Sequence, residues 1–149
     1  MKKIFVLFWI CLFWIMPVSV FSERMTDNWR LMGYTKYRDA VFADMARLSS
    51  PTPDTKAVWV KIAPSGKSKY RQSIREYLDT AGIRDKKFKS IEILCEIHCA
   101  HHLIRFTGFV YLDDNRNIIH EAYETNPQWL QIIQGSTWYP VEKAACAAK

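Results

Sequence analysis

The chain has 149 residues, of which 49% are hydrophobic, 14% aromatic and 24% charged, and its formal net charge is +6. This length holds one domain, which excludes a multidomain enzyme and a polytopic membrane protein. The apolar and aromatic content excludes a disordered or low-complexity chain.

Lys2 and Lys3 precede an apolar run from Ile4 to Met16, which Pro17 closes before Val20-Phe21-Ser22. That is the order of charged, apolar and cleavage regions in a secretory signal. The run is shorter than the roughly 20 residues of a membrane span. Residues 1–22 are therefore expected to be a signal peptide cleaved after Ser22. Residues 23–149 would then form one exported domain, placed in the periplasm, at the cell surface or outside the cell. Cys11 follows the bulky Trp9-Ile10 pair, which does not suit a lipoprotein cleavage box, and reads as part of the signal.

In the remainder, Trp29 to Met32 is a short strand candidate ended by Gly33, and Asp39 to Ala43 is a second. Ser49-Ser50-Pro51-Thr52-Pro53-Asp54 is expected to break the chain, since two prolines exclude helix and central strand. Ala57 to Ile62 alternates, with Val58, Val60 and Ile62 on one face and Trp59 and Lys61 on the other. Pro64-Ser65-Gly66 turns the chain, and Ser68 can cap a helix running to about Asp79. Tyr70, Ile74, Tyr77 and Leu78 form its apolar stripe, Arg71 and Arg75 are expected to face water, and Gly82 is a plausible stop.

Lys89 to Leu103 and then Leu103 to Leu112 read as strands, Asp113 to Asn117 as a hairpin turn, and Ile118 to Ala122 as the returning strand. Ser136 or Thr137 is expected to cap a C-terminal helix packed through Val141, Ala144 and Ala145. The order predicts an α+β fold. It is a single antiparallel sheet of about five to six strands with one internal helix and a C-terminal helix packed on it.

Beyond the signal lie three cysteines, Cys95, Cys99 and Cys146, so at least one thiol is left over. If 91–103 is one strand, Cys95, Cys99 and His101 share a face, and Glu96, His98, Ala100 and His102 share the other. A Cys99–Cys146 bridge would clip the last helix to the sheet. The Cys95 to His102 run also carries thiolate and imidazole, the usual zinc and copper ligands. Its spacing matches no zinc or haem attachment pattern, and alternation sends the ligands to opposite faces. His98 and His102 on the outer face stay as weak metal or haem contacts, with no metal site or cofactor otherwise called for.

No nucleophile elbow, phosphate loop, dinucleotide fingerprint or zinc-protease motif is present, so no residue is assigned to catalysis. The carboxylates Asp113, Asp114, Glu121 and Glu124 read as turn chemistry rather than an acid–base pair. Charge is concentrated between residues 61 and 89. Lys61, Lys67, Lys69, Arg71, Arg75, Arg84, Lys86, Lys87 and Lys89 there face only Glu76, Asp79 and Asp85. Such a segment is either a solvated face or an electropositive patch for an acidic polysaccharide, lipid headgroups or an acidic protein surface. No nucleic-acid motif accompanies it. Trp138 is expected to be exposed, and Trp59 is either exposed or core on a sheet covered on both faces, in a monomer or a homodimer.

The motifs follow a familiar order. Trp29 and Gly33 come early, then Asp44 and Leu48, then Val58-Trp59-Val60-Lys61. Ile97-x-Cys99 runs on through Arg105 to Tyr111-Leu112-Asp113, and Trp129-x-x-Ile132-x-x-Gly135-Ser136 precedes Cys146. Over Trp29 to Cys146 this resembles the surface-adhesin protein E family of small exported bacterial proteins. The resemblance implies an antiparallel sheet with a C-terminal helix, tied by a disulfide that maps onto Cys99 and Cys146. It also implies a non-catalytic binding protein, since the family's best-known member is an outer-membrane adhesin for host matrix proteins and haem. The alternative is a periplasmic haem- or metal-binding protein using His98, His101 and His102. The chain departs from the pattern in lacking a lipoprotein cysteine, in carrying Cys95, and in having Gln134 where proline is usual.

Overall fold

The structure is a computed structural model that describes residues 28–83 and 87–148. The expected signal peptide, and Arg84 and Lys86 of the basic segment, lie outside the described residues. The elements run β1 (Trp29–Tyr34), β2 (Ala40–Thr52), β3 (Thr55–Ala63), α1 (Lys69–Thr80), β4 (Phe88–His98), β5 (Leu103–Asp113), β6 (Ile118–Tyr123), β7 (Leu130–Gln131) and α2 (Tyr139–Ala147). Strands β1 to β6 pair in sequence order, all antiparallel, and the two-residue β7 adds to the start of β5. This is the expected α+β fold, with β7 as an addition.

The alternation read in β3 sets the two faces. Across the sheet, Val41, Ile62, Ile91, Tyr111 and His120 stand opposite one another, as do Ala43, Val60, Ile93, Phe109 and Ala122. These rows face the helices, and Ile74 and Leu78 of α1 and Val141 and Ala145 of α2 complete the core. Helix α1 forms where its stripe predicts. The Ser68 hydroxyl accepts from Tyr70 N at 3.1 Å. At the other end Ile83 N donates to Leu78 O and Gly82 N to Asp79 O, a Schellman close that needs φ +78° at Gly82. The fully buried Asp39 carboxylate accepts from Thr35 Oγ1 at 2.8 Å and Ser65 N at 2.9 Å, tying the β1–β2 turn to the segment entering α1.

Three local expectations are corrected. The segment holding Pro51 does not break the chain: β2 runs through Pro51 to Thr52 and turns at Pro53-Asp54. Among the described residues β1 pairs β2 as far as Asp44, so Pro51 lies in an arm paired there on one side, where a missing N–H costs no ladder bond. Helix α2 starts later than expected, with Trp138 as its first capping residue, no side-chain cap, and Pro140 in its first turn. The strand after Phe88 stops at His98 instead of alternating through 103, and 99–102 form a turn.

Phe88 is fully buried at the entry to β4, against the Tyr111 ring. Its truncation to alanine is expected to lower stability by about 3–5 kcal/mol, read as a fall in the urea midpoint at unchanged slope.

Candidate functional site

The turn Cys99 to His102 carries three of the side chains that the sequence singles out, Cys99, His101 and His102. Nothing in Cys-Ala-His-His signals a turn, yet tertiary ties impose one. Cys99 N donates to Asp54 O at 3.0 Å, and His101 N closes back on His98 O at 3.3 Å. His102 adopts φ +54°, and its carbonyl accepts from Ile132 N at 2.8 Å. The turn re-sorts the histidines. His101 comes beside His98, with ring centres 4.6 Å apart, whereas His102 points to the helix side and its Nδ1 lies 2.6 Å from Glu142 Oε1. The expected pairing of His98 with His102 on one strand face is therefore replaced by His98 with His101, because alternation ends where the strand does.

Cys99 is bonded to Cys146, with Cα atoms 5.7 Å apart and a sequence separation of 47. This agrees with the pairing implied by the resemblance. Together with the His102–Glu142 contact it holds α2 to the turn at two points. Closing a loop of this length restricts the unfolded chain by about 4 kcal/mol on chain-entropy grounds. Glu142, although 4% exposed, escapes a sequence reading because a charged residue in a helix's first turn normally faces water. Among the described residues Cys95 is the free cysteine, fully buried on the core face, and burial pushes its thiol pKa up.

The basic segment does not form one patch. Lys67, Lys69, Arg75, Lys87 and Lys89 are exposed on the α1 side. Arg71, expected to face water, is half-buried, and its guanidinium donates to Phe88 O at 3.2 Å. It flanks the apolar stripe, so its stem packs while its head reaches a carbonyl. That bond sets the Arg71–Arg75 flank of α1 beside the start of β4, where Lys87 and Lys89 lie. Lys61 belongs elsewhere: it projects from the opposite sheet face, 4.5 Å from the Trp29 ring centre and 5.3 Å from that of Phe42.

That opposite face carries no helix among the described residues. One row across it is Trp29, Asp44, Trp59, Leu94, Gly108 and Tyr123, and the next is Leu31, Phe42, Lys61, Glu92, Val110 and Glu121. A Cβ at Gly108 would meet the Tyr123 ring at 3.1 Å, so glycine lets that ring lie over β5. Arg47 stands 5.4 Å from both the Trp29 and Trp59 rings and bonds the buried Asp44 at 2.6 Å. Arg105 stands 4.5 Å over Trp129 and bonds Glu96 at 2.7 Å. Trp59 is thus half-buried under Arg47, between its exposed and core readings, and Trp138, where exposure was expected, is half-buried against Phe106 at 4.9 Å.

On the helix side, Tyr77 stacks on Tyr111, and its hydroxyl lies 3.3 Å from His120 Nε2. Burial raises the Tyr111 phenol above its ordinary range, with the nearby Tyr77 and Tyr70 adding to it. Burial, reinforced by the Asp39 charge, pushes Tyr70 up to about 12. Asp113 accepts from Asn115 N and Asn117 N, both at 2.8 Å, so it is bound up in the hairpin turn as its sequence context suggests. No group of three or more His, Cys, Asp or Glu side chains suited to a metal ion occurs among the described residues. No helix among them is long and apolar enough to cross a membrane.

Neither a family model nor a curated protein sequence matches the chain. Solved structures do. The structure of Haemophilus influenzae protein E matches with a TM-score of 0.53 at 10% identity, over 83% of this chain and 86% of that one. Its crystal form II matches with the same TM-score at 12% identity, over 83% and 90%. At such identity the likeness is one of fold, a distant structural relation covering most of both chains.

Cys146→Ser is expected to cost about 2–4 kcal/mol of stability. In a chain beginning at Glu23, without Cys11, a thiol reagent should find no reactive cysteine in the native protein, and one, Cys95, after denaturation without reductant. Because Tyr70 keeps its proton up to about pH 12 in the fold but only to about 10 in the unfolded chain, the folded form holds more protons between those values. Stability is therefore expected to fall as pH rises from 10 to 12, measured as a declining urea midpoint. A midpoint flat across that window would show that Tyr70 titrates normally.

Proposed function

We propose that the chain is an exported, non-catalytic binding protein of the cell envelope that contacts an anionic partner through the α1 side. The observation carrying this reading is the exposed set Arg75, Lys87 and Lys89 beside the Arg71–Phe88 bond, with Lys67 and Lys69 at the start of the same helix. The fold likeness to protein E supports a surface-protein role. The signal-like segment at residues 1–22 supports export. Unlike Lys61 and Arg105, which stand over rings, these side chains project from one flank of α1 and the entry to β4. Anionic polysaccharide is the partner that such a set of solvated cations suits, because each can meet a sulfate or carboxylate with little desolvation.

Retention on immobilised heparin at low salt tests this reading. The chain should be retained and released as salt rises, since exposed charges are screened beyond about 10 Å at 0.1 M. Arg75→Glu/Lys87→Glu/Lys89→Glu should elute at clearly lower salt, whereas Lys61→Gln should elute with the parent. Absence of retention at low salt, or equal elution of parent and triple variant, would sink the anionic-partner reading.

A further inference from the structure

We infer that His98 and His101 form a two-imidazole site for a divalent transition ion of Cu²⁺ type, independent of the anion-binding surface. The first observation is their spacing. With a metal–nitrogen distance of about 2.1 Å and the angle of about 90° between neighbouring ligands of a square-planar Cu²⁺ ion, two imidazoles on one ion stand with ring centres about 4.5 Å apart. The His98 and His101 rings are 4.6 Å apart and tilted by 49°. The second observation is a missing partner: His98 Nδ1 is buried and has no hydrogen-bond partner among the described residues. Buried ring nitrogens are ordinarily satisfied, and with the proton on Nε2 an unpartnered Nδ1 has a lone pair to give a metal ion.

The turn that holds the pair is organised in advance. Cys99, between the two histidines, is fixed by its disulfide and by its N–H bond to Asp54. His102 is held away from the site by Glu142, so it is not a third ligand. Glu96, two residues before His98 on the same face, is taken up by Arg105. The protein thus supplies two nitrogens, and water or a second molecule fills the other positions. Imidazole suits borderline ions, and among these a nitrogen site holds Cu²⁺ most tightly.

The site carries its own reporter, because the Trp129 indole meets the His98 ring edge-on at 6.1 Å. Titrating the disulfide-bonded chain with CuCl₂ should quench tryptophan fluorescence saturably, with one ion per chain by calorimetry. His101→Ala changes an exposed turn residue and should leave the fold intact. It and His98→Gln should each weaken Cu²⁺ binding by about tenfold or more. His102→Ala should bind like the parent, and Trp129→Phe should lose most of the quenching while keeping the calorimetric binding. Unchanged binding in His101→Ala, or a loss in His102→Ala as large as in His98→Gln, would overturn the assignment. Heparin retention of all these variants should match the parent, so failure here leaves the anion-binding reading standing.

Discussion

Two short helices must cover one face of a six-stranded sheet, and most of the molecule answers to that shortage. Helix α1 has 12 residues and α2 only nine. Helices of this length are marginal on their own, so each must be held by tertiary contacts. Helix α1 is held by its apolar stripe, both caps and the Arg71 bond to Phe88 O. Helix α2 lacks a side-chain N-cap and buries chiefly Val141 and Ala145. The disulfide and the His102–Glu142 contact make up the difference. Both act on the Cys99–His102 turn, which gathers the chain's reactive side chains because it is the anchor point.

The opposite face, which no helix covers among the described residues, solves the converse problem there with side chains. Large rings from β1, β2 and β3 lie across small or buried neighbours, and Arg47 and Lys61 are laid over those rings. Arg105 does the same over Trp129. Each such contact contributes about 0.5–1 kcal/mol at exposed sites. Their larger effect is to keep apolar surface from forming one open patch, a known route to association.

What is legible in the sequence follows from local rules. The period-two pattern of Val58, Val60 and Ile62, the Ser68 cap and the Asp113 turn all express backbone preferences of nearby residues, and each stands where those preferences put it. The Cys99–His102 turn is not legible, because its residues have no turn preference of their own. Contacts with Asp54, Ile132, Glu142 and Cys146 impose it, and those partners are distant in sequence. Extending strand alternation through that turn assigns the histidines to the wrong faces. Pro51 misleads for a related reason: its tolerance depends on how far β1 reaches along β2, which composition does not reveal.

The sorting of charge between the two faces bears directly on recognition. A run of basic residues in sequence suggests one field, but the pleat sends Lys61 through the sheet and the helix turns the others to its own side. On the far face cations are matched with rings and carboxylates, as Arg47 is with Asp44 and Arg105 with Glu96. A cation so paired must give up a formed contact to meet a new anion, whereas a solvated lysine gives up only water. An approaching polyanion therefore gains more from Arg75, Lys87 and Lys89 than from Lys61 or Arg105, although all carry the same unit charge. The asymmetry originates in the fold, because among the described residues the helix-covered side presents cations that the sheet does not need for its own cover.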